Sequence, residues 1–358
     1  MHQVNDDEPS APSDSDSLLR RVDGRIGRIT LNRPDALNAL TPAMLRDLSV
    51  ALTEWADDDR IDAVMIDGAG GRGLCAGGDI RLIASMTAPE AARFWRDEYA
   101  TDLQTSRFPK PYIAVMDGIT MGGGVGISAH GSVRIVTERS RVAMPEVRIG
   151  LAPDVGGSLL LARAPGELGV HLGLTAGTMT GPDAILCGFA DHYVTSAKLG
   201  ALQAALASSG EDPEAVVREF AERPPAAPLA EHREWIDACY SGDSVPAILD
   251  RLASAGADAA ASAREEILAM SPTSVLVTLA AIRRAGTLDS LDLVLEQDLR
   301  VSTALFARPD LAEGIRAQVI DKDRSPRWNP ATLDAVRLHT VRAILGTDRL
   351  SIDRDISI

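Results

Sequence analysis

Three stretches of this 358-residue sequence combine residue types and spacings that can do chemistry. The first runs Ala69-Gly70-Gly71-Arg72-Gly73-Leu74-Cys75-Ala76-Gly77-Gly78-Asp79-Ile80, and the second Asp117-Gly118-Ile119-Thr120-Met121-Gly122-Gly123-Gly124-Val125-Gly126. Glycine lets a backbone turn sharply and brings its N–H groups to a ligand without a side chain in the way. Two such turns after neighbouring parallel strands can converge two N–H groups on one oxygen. That is an oxyanion hole, a pair of fixed donors for charge that develops in a transition state. Neither stretch is GxGxxG or GxxxxGK[ST], so dinucleotide and P-loop readings fail on spacing. The third stretch, Met144-Pro145-Glu146-Val147-Arg148-Ile149-Gly150-Leu151-Ala152-Pro153-Asp154-Val155-Gly156-Gly157, sets two carboxyls eight residues apart among small and apolar neighbours. A carboxyl in such surroundings is expected to hold its proton to higher pH, which suits acid–base work. The plain alternative is that Glu146 and Asp154 cap helices. Cys75, Ser128 and His130 read as packed residues, and no His, Asp or Glu spacing suggests a metal site.

The elements that must carry these turns are legible up to about residue 200. Arg25–Leu31 alternates like a half-buried strand. Thr41-Pro42 starts a helix over about 42–57, whose Met44, Leu45, Leu48, Leu52 and Trp55 recur at helical spacing. The apolar runs 63–66 and 112–116 read as buried strands that lead into the glycine-rich turns, and 133–137 reads as a further short strand. Beyond 200 the strand signals stop. Helices are expected near 197–208, 212–222, 244–254, 262–271, 273–285, 290–306 and 308–317. A hinge or linker is expected at 221–231, where two prolines adjoin. Residues 252–263, LASAGADAAASA, read as a poorly specified connection.

Composition narrows the function classes. The formal charge is −15, which disfavours nucleic acid and anionic membranes as partners. The basic charge comes from 33 Arg and only 3 Lys, a usage that fits a high-GC bacterial genome. Three scattered cysteines fit a reducing, cytoplasmic compartment and no disulfide scaffold. Residues 1–17 hold five acids and no Lys or Arg, unlike a secretory or mitochondrial leader, and read as a solvated tail. No apolar run approaches the roughly 20 residues that span a bilayer.

The GLCAGGDI and GITMGGGVG turns, with MPEVRIGLAPDVGG and the LNRPDALNAL stretch at 31–40, resemble the enoyl-CoA hydratase/isomerase (crotonase) superfamily. The resemblance implies an α/β fold, a spiral of ββα units with a helical C-terminal region. It also implies an acyl-CoA substrate, no separate cofactor, and a homo-oligomer, trimer or hexamer. The division it suggests is a tail at 1–17, an acyl-CoA-binding core at 18–210, a helical region at 211–345 and a tail at 346–358. By position, the oxyanion donors are the N–H groups of Gly78 and Gly123. Where hydratases carry the first of two glutamates this chain has Gly126, which disfavours water addition by two carboxyls. The pattern instead resembles the 3-hydroxyisobutyryl-CoA hydrolases, which keep Glu146 and add Asp154. Phe94-Trp95-Arg96-Asp97-Glu98-Tyr99 resembles their segment that brings a glutamate, here Glu98, near substrate. Glu313-Gly314-Ile315-Arg316-Ala317 through Asp321-Lys322-Asp323-Arg324-Ser325-Pro326 resembles their C-terminal motif. The expected reaction is hydrolysis of a short 3-hydroxyacyl-CoA, of the valine-breakdown type, with Glu146 either attacking the carbonyl or deprotonating water. Asp154 would bind the substrate hydroxyl or assist proton transfer. The rivals are a hydratase or isomerase working with Glu146 alone and a non-catalytic acyl-CoA-binding protein. Arg33, Arg72, Arg81 and Lys110 are candidate contacts for the anionic CoA.

Overall fold

The computed structural model describes residues 16–346, so most of the stretch 1–17 and all of 347–358 lie outside the described residues. The strands are β1 (Leu18–Asp23), β2 (Ile26–Leu31), β3 (Ala63–Gly68), β4 (Gly73–Cys75), β5 (Tyr112–Met116), β6 (Ile119–Met121), β7 (Val133–Val136), β8 (Arg141–Ala143), β9 (Thr178–Met179) and β10 (His192–Tyr193). They form a six-stranded sheet in the order β1-β2-β3-β5-β7-β10 and a four-stranded sheet in the order β4-β6-β8-β9. Successive units place one strand in the large sheet, turn, and place the next in the small sheet. Thus β3, β5 and β7 pair in parallel, and so do β4, β6 and β8. This is the expected spiral of strand–turn–strand–helix units.

Alternation along the strands explains why the large sheet is covered on both faces. Val64, Ile66, Tyr112, Ala114 and Met116 point into the main core. Ala63, Met65, Ile113 and Val115 point to the other side, where Leu202, Leu206, Val216 and Val217 of the helices Leu199–Ser208 and Pro213–Phe220 cover them. Strands buried on both faces read as continuous apolar runs, which is how 63–66 and 112–116 stand in the sequence.

The first helix, α1 (Pro42–Ala56), starts as its sequence requires: the Thr41 hydroxyl accepts from the Met44 N–H at 3.3 Å. It is followed by α2 (Ile80–Ser85), α3 (Ala88–Ser106) and α4 (Gly123–Ala129). The seven expected C-terminal helices are present within a few residues of their expected bounds. Three more were not foreseen, at Pro228–Glu231, Arg233–Tyr240 and Leu338–Leu345. The expected linker at 221–231 is therefore only in part a connection. The Glu222 N–H donates to the Tyr193 carbonyl at 2.7 Å, and a helix begins at Pro228. In 252–263, two helices meet with only residues 255–257 between them.

The C-terminal helices do not stand apart from the sheets. One apolar cluster runs from Leu18 through to Leu345. Pro272–Ala285 is buried along most of its length, and Leu291–Phe306 packs lengthwise on α3. Among the described residues no single helix is long and apolar enough to cross a membrane.

Candidate active site

Both glycine-rich turns lead from one sheet to the other and end side by side. A Cβ placed on Gly77 would lie 3.5 Å from the Gly123 nitrogen. Gly78 follows in an isolated parallel bridge with Leu40, and Gly123 opens α4. Around them, the Leu40 N–H donates to the Gly77 carbonyl, the Asp79 N–H to the Leu40 carbonyl, and the Gly122 N–H to the Ala143 carbonyl. Among the described residues neither the Gly78 nor the Gly123 N–H has an acceptor. Two unspent donors on converging turns are what a developing oxyanion needs.

The carboxyls gather at this point from three directions. Glu146 starts a short 3₁₀ turn after β8, and its Oε1 would lie 2.9 Å from a Cβ on Gly122, while its Oε2 is buried without a partner. Glu98 comes from α3, with Oε1 only 2.2 Å from where a Gly123 Cβ would stand. Asp154 lies on the loop that follows Glu146; it caps no helix, because Gly156 takes the N-cap position of Gly157–Arg163. Its Oδ2 accepts the Tyr99 hydroxyl at 2.7 Å and the Ser302 hydroxyl at 3.3 Å. Relative exposures are 2% for Glu98, 7% for Glu146 and 5% for Asp154, so these carboxyls have little water to solvate a charge.

The ionisation pattern follows from that burial. Burial, then the Asp154 charge, pushes both Glu98 and Glu146 well above the usual carboxyl range. Burial raises Asp154 only to about 6, because the Tyr99 and Ser302 hydroxyls stabilise its charged form. Asp154 is thus the carboxyl of these three that ionises most readily.

Two further carboxyls belong to the cluster and were missed in the sequence. Asp102, one turn beyond Glu98 on α3, is fully buried, and neither oxygen has a partner. Asp298, on Leu291–Phe306, accepts the Gly156 N–H and the Ser158 hydroxyl, each at 2.9 Å. Burial first, then neighbouring carboxylates, raises both well above the ordinary range. A signal for them exists. Each sits on the apolar stripe of its helix, Asp102 with Phe94, Trp95, Glu98 and Tyr99, and Asp298 with Val294, Leu295, Val301 and Leu305. An acid on such a stripe breaks the amphipathic rule and marks a candidate site.

Close approach of α3 and α4 depends on glycine. Glu98 seats on Gly123 and Asp102 on Gly126, where a Cβ would meet both Asp102 oxygens at 2.7 Å and the Val155 Cβ at 2.8 Å. Gly126→Ala is expected to destabilise the protein by about 1–3 kcal/mol through overpacking. Urea unfolding of the two proteins checks this, and equal stability would mean that the helices part without cost.

The discounted residues behave as packed groups. Cys75 is buried, and burial pushes its thiol up to about 12. His130 bonds the Val155 carbonyl at 2.8 Å, and burial lowers it to about 4. Ser128 donates to the Gly124 carbonyl at 2.6 Å. Arg33 pairs with Asp79 at 2.9 Å, and Lys110 donates to the Trp55 and Asp58 carbonyls at 2.7 and 2.8 Å, so both are occupied holding the chain. Arg72 and Arg81 are exposed. Among the described residues no group of three or more His, Cys, Asp or Glu could hold a metal ion. The C-terminal motif is an ion-pair knot: Arg316 binds Glu313 at 2.8 Å, Asp321 at 2.7 Å and Asp323 at 2.6 Å.

The family model described as Enoyl-CoA hydratase/isomerase matches residues 26–345. The chain belongs to this family. Within it, this family member is 40% identical over 334 residues to the human mitochondrial 3-hydroxyisobutyryl-CoA hydrolase, covering 90% of this chain and 86% of the relative. Among solved structures it is 48% identical to a carnitinyl-CoA dehydratase from Mycobacterium thermoresistibile, with a TM-score of 0.88 over 92% of this chain and 96% of the other. It is 40% identical to an enoyl-CoA hydratase from Rhodobacter sphaeroides, with a TM-score of 0.86 over 92% and 97%. These similar chains carry names for different reactions, so the reaction of this family member is argued from its own site.

Proposed function

We propose that the protein hydrolyses a short 3-hydroxyacyl-CoA thioester, of the 3-hydroxyisobutyryl-CoA type used in valine breakdown, to the free acid and CoA. The observation that carries this reading is the glycine at 126 with the Asp102 carboxyl seated on it. At the position where the likeness to hydratases calls for a glutamate, α4 therefore brings none, and Glu146 acts at the carbonyl without that partner. The thioester oxygen lies between the Gly78 and Gly123 N–H groups; each such donor is worth about 3 kcal/mol to the transition state. Glu146 delivers the attack, as nucleophile or as base toward water. As base, Glu146 takes a proton from water while the C–O bond forms, and returns it to the thiolate as the C–S bond breaks. As nucleophile, Glu146 forms an anhydride with loss of the thiolate; water then cleaves the anhydride to the free acid, restores the Glu146 carboxylate and supplies the proton that the thiolate takes. Asp154 takes the hydroxyl of the substrate, and Glu98 fixes the acyl end. The names of the human relative and the C-terminal motif support the same reading. Cys75, Cys187 and Cys239, all free and buried, support a reducing compartment such as the cytoplasm.

The neighbours called dehydratase and hydratase favour a second reading, hydration of an enoyl-CoA. Thiol release separates the two, since hydration leaves the thioester intact. A panel of short acyl-CoAs with and without a 3-hydroxyl is expected to show stoichiometric free thiol, fastest with the 3-hydroxyacyl members. Loss of enoyl absorbance with no thiol release would overturn the proposal.

A further inference from the structure

Asp154 differs from the other acids of the cluster in what α3 and the helix Leu291–Phe306 bring to it. Tyr99, 4% exposed, and Ser302, fully buried, come from these two facing helices. Their hydroxyls lie 3.0 Å apart, and both lie within hydrogen-bond distance of Asp154 Oδ2, at 2.7 and 3.3 Å. The tyrosine has one proton, and its 2.7 Å bond spends it on Asp154. The serine proton then goes either to the tyrosine oxygen or to Asp154 Oδ2. In the first case the serine polarises the tyrosine hydroxyl that donates to the carboxylate; in the second both hydroxyls donate to the same carboxylate oxygen.

We infer that Tyr99 and Ser302 are positioning residues that fix the Asp154 carboxylate as the anionic acceptor for the substrate hydroxyl. This rests on the hydrolase reading and deepens it, because it makes preference for a 3-hydroxyacyl group depend on two residues that act through Asp154. The surroundings make their contribution necessary. Glu98 and Asp102 face Asp154 from α3, Glu146 from the turn after β8, and Asp298 from the same helix as Ser302. Every one of these is an acid and none offers a positive charge. His130, at the end of α4, is held neutral by burial and bonds the neighbouring Val155 carbonyl. An anion among four other buried acids therefore depends on hydroxyl donors. Asp298 completes the arrangement by tying down Gly156 and Ser158, so one helix supports both ends of the 154–158 turn.

The test compares Tyr99→Phe and Ser302→Ala with wild type in full-length protein. Removal of a donor disfavours the anion, so Asp154 should titrate at higher pH than in wild type. Glu146 governs the acid limb of both substrates alike, so the ratio of kcat/KM for 3-hydroxyacyl-CoA to that for the same thioester without its hydroxyl isolates Asp154. The acid limb of that ratio should move upward by about one pH unit in Tyr99→Phe and by less in Ser302→Ala. KM should rise more for 3-hydroxyacyl-CoA than for the same thioester without its hydroxyl, with kcat on the latter little changed. A purely structural role would lower both substrates together and leave the limb in place. The Asp154 carboxyl carbon, assigned by its absence in Asp154→Asn, gives a second reading by NMR titration that does not need turnover. If wild type releases no CoA from any thioester, the hydrolase reading fails, and the titration alone decides the role of the two hydroxyls. An active wild type with an unmoved acid limb and an unmoved Asp154 titration in both variants would overturn the inference.

Discussion

Replacing Glu146 by Gln lowers CoA release by about 10²–10⁴-fold while the protein keeps its fold. The size follows from position. Glu146 is the carboxyl that reaches Gly122, beside the two unspent N–H groups, and the range is that of losing a general acid–base group. The fold survives because Oε2 has no hydrogen-bond partner to lose and the amide has nearly the same volume. Steady-state thiol release, with circular dichroism and thermal unfolding on the same preparation, makes the measurement. A variant that is folded and turns over at the wild-type rate removes Glu146 from the mechanism. The pH dependence carries a second expectation. Because burial holds Glu146 toward its neutral form, activity should rise with pH as the carboxylate becomes available.

Stability should move with pH in the opposite sense to ordinary acid denaturation, and Asp102 should be a leading cause. Its folded carboxyl is raised well above the unfolded value, so the native state holds its proton where the unfolded chain has released it. Such a group costs nothing below the unfolded value, near pH 4. It subtracts stability progressively as pH rises from there through its folded value. Glu98, Glu146 and Asp298 act in the same direction, and Asp154 does so up to about 6. His130 and His171, both lowered to about 4, oppose this between about pH 6.5 and 4, since the unfolded chain protonates them first. The clean measurement is a difference. Asp102→Asn should gain on wild type by up to about 1.4 kcal/mol per pH unit as pH rises through that window, because one proton no longer separates the two states. Urea unfolding at pH 5, 6, 7 and 8 reads it. A constant difference across the series would mean that Asp102 is already ionised in the folded protein and has found a partner there.

Why the chain buries five acids together is a question of function. A buried acid without a partner is costly, and Asp102 has none for either oxygen. Natural sequences break local rules mostly at sites under functional demand. Asp102 and Asp298 broke the apolar stripes of their helices openly in the sequence. Their meaning was not legible there, because nothing in one helix says which carboxyls from other elements will face it.

Local pattern was enough for the strands and for the helix starts. Two-fold alternation, apolar runs and the Thr41-Pro42 start are nearest-neighbour properties of the chain, and the strands at 63–68 and 112–116 and the helix from Pro42 followed from them. Motif spacing singled out the two glycine turns and Glu146 with Asp154 as candidates, because these residues sit within short contiguous stretches. The helices at 228–240 escaped because Pro224 and Pro225 dominate that segment, while its burial depends on partners such as His171 and Glu167 some 70 residues earlier. Only the tertiary structure brought Ser302 and Asp298 to the 154–158 turn, across roughly 140 residues of chain, and set Glu98 and Asp102 on Gly123 and Gly126. The physical reason is that sequence states which groups are acids, whereas burial and convergence decide which of them carries the charge. That decision, here in favour of Asp154 with its two hydroxyl donors, is made by helices that share no local sequence.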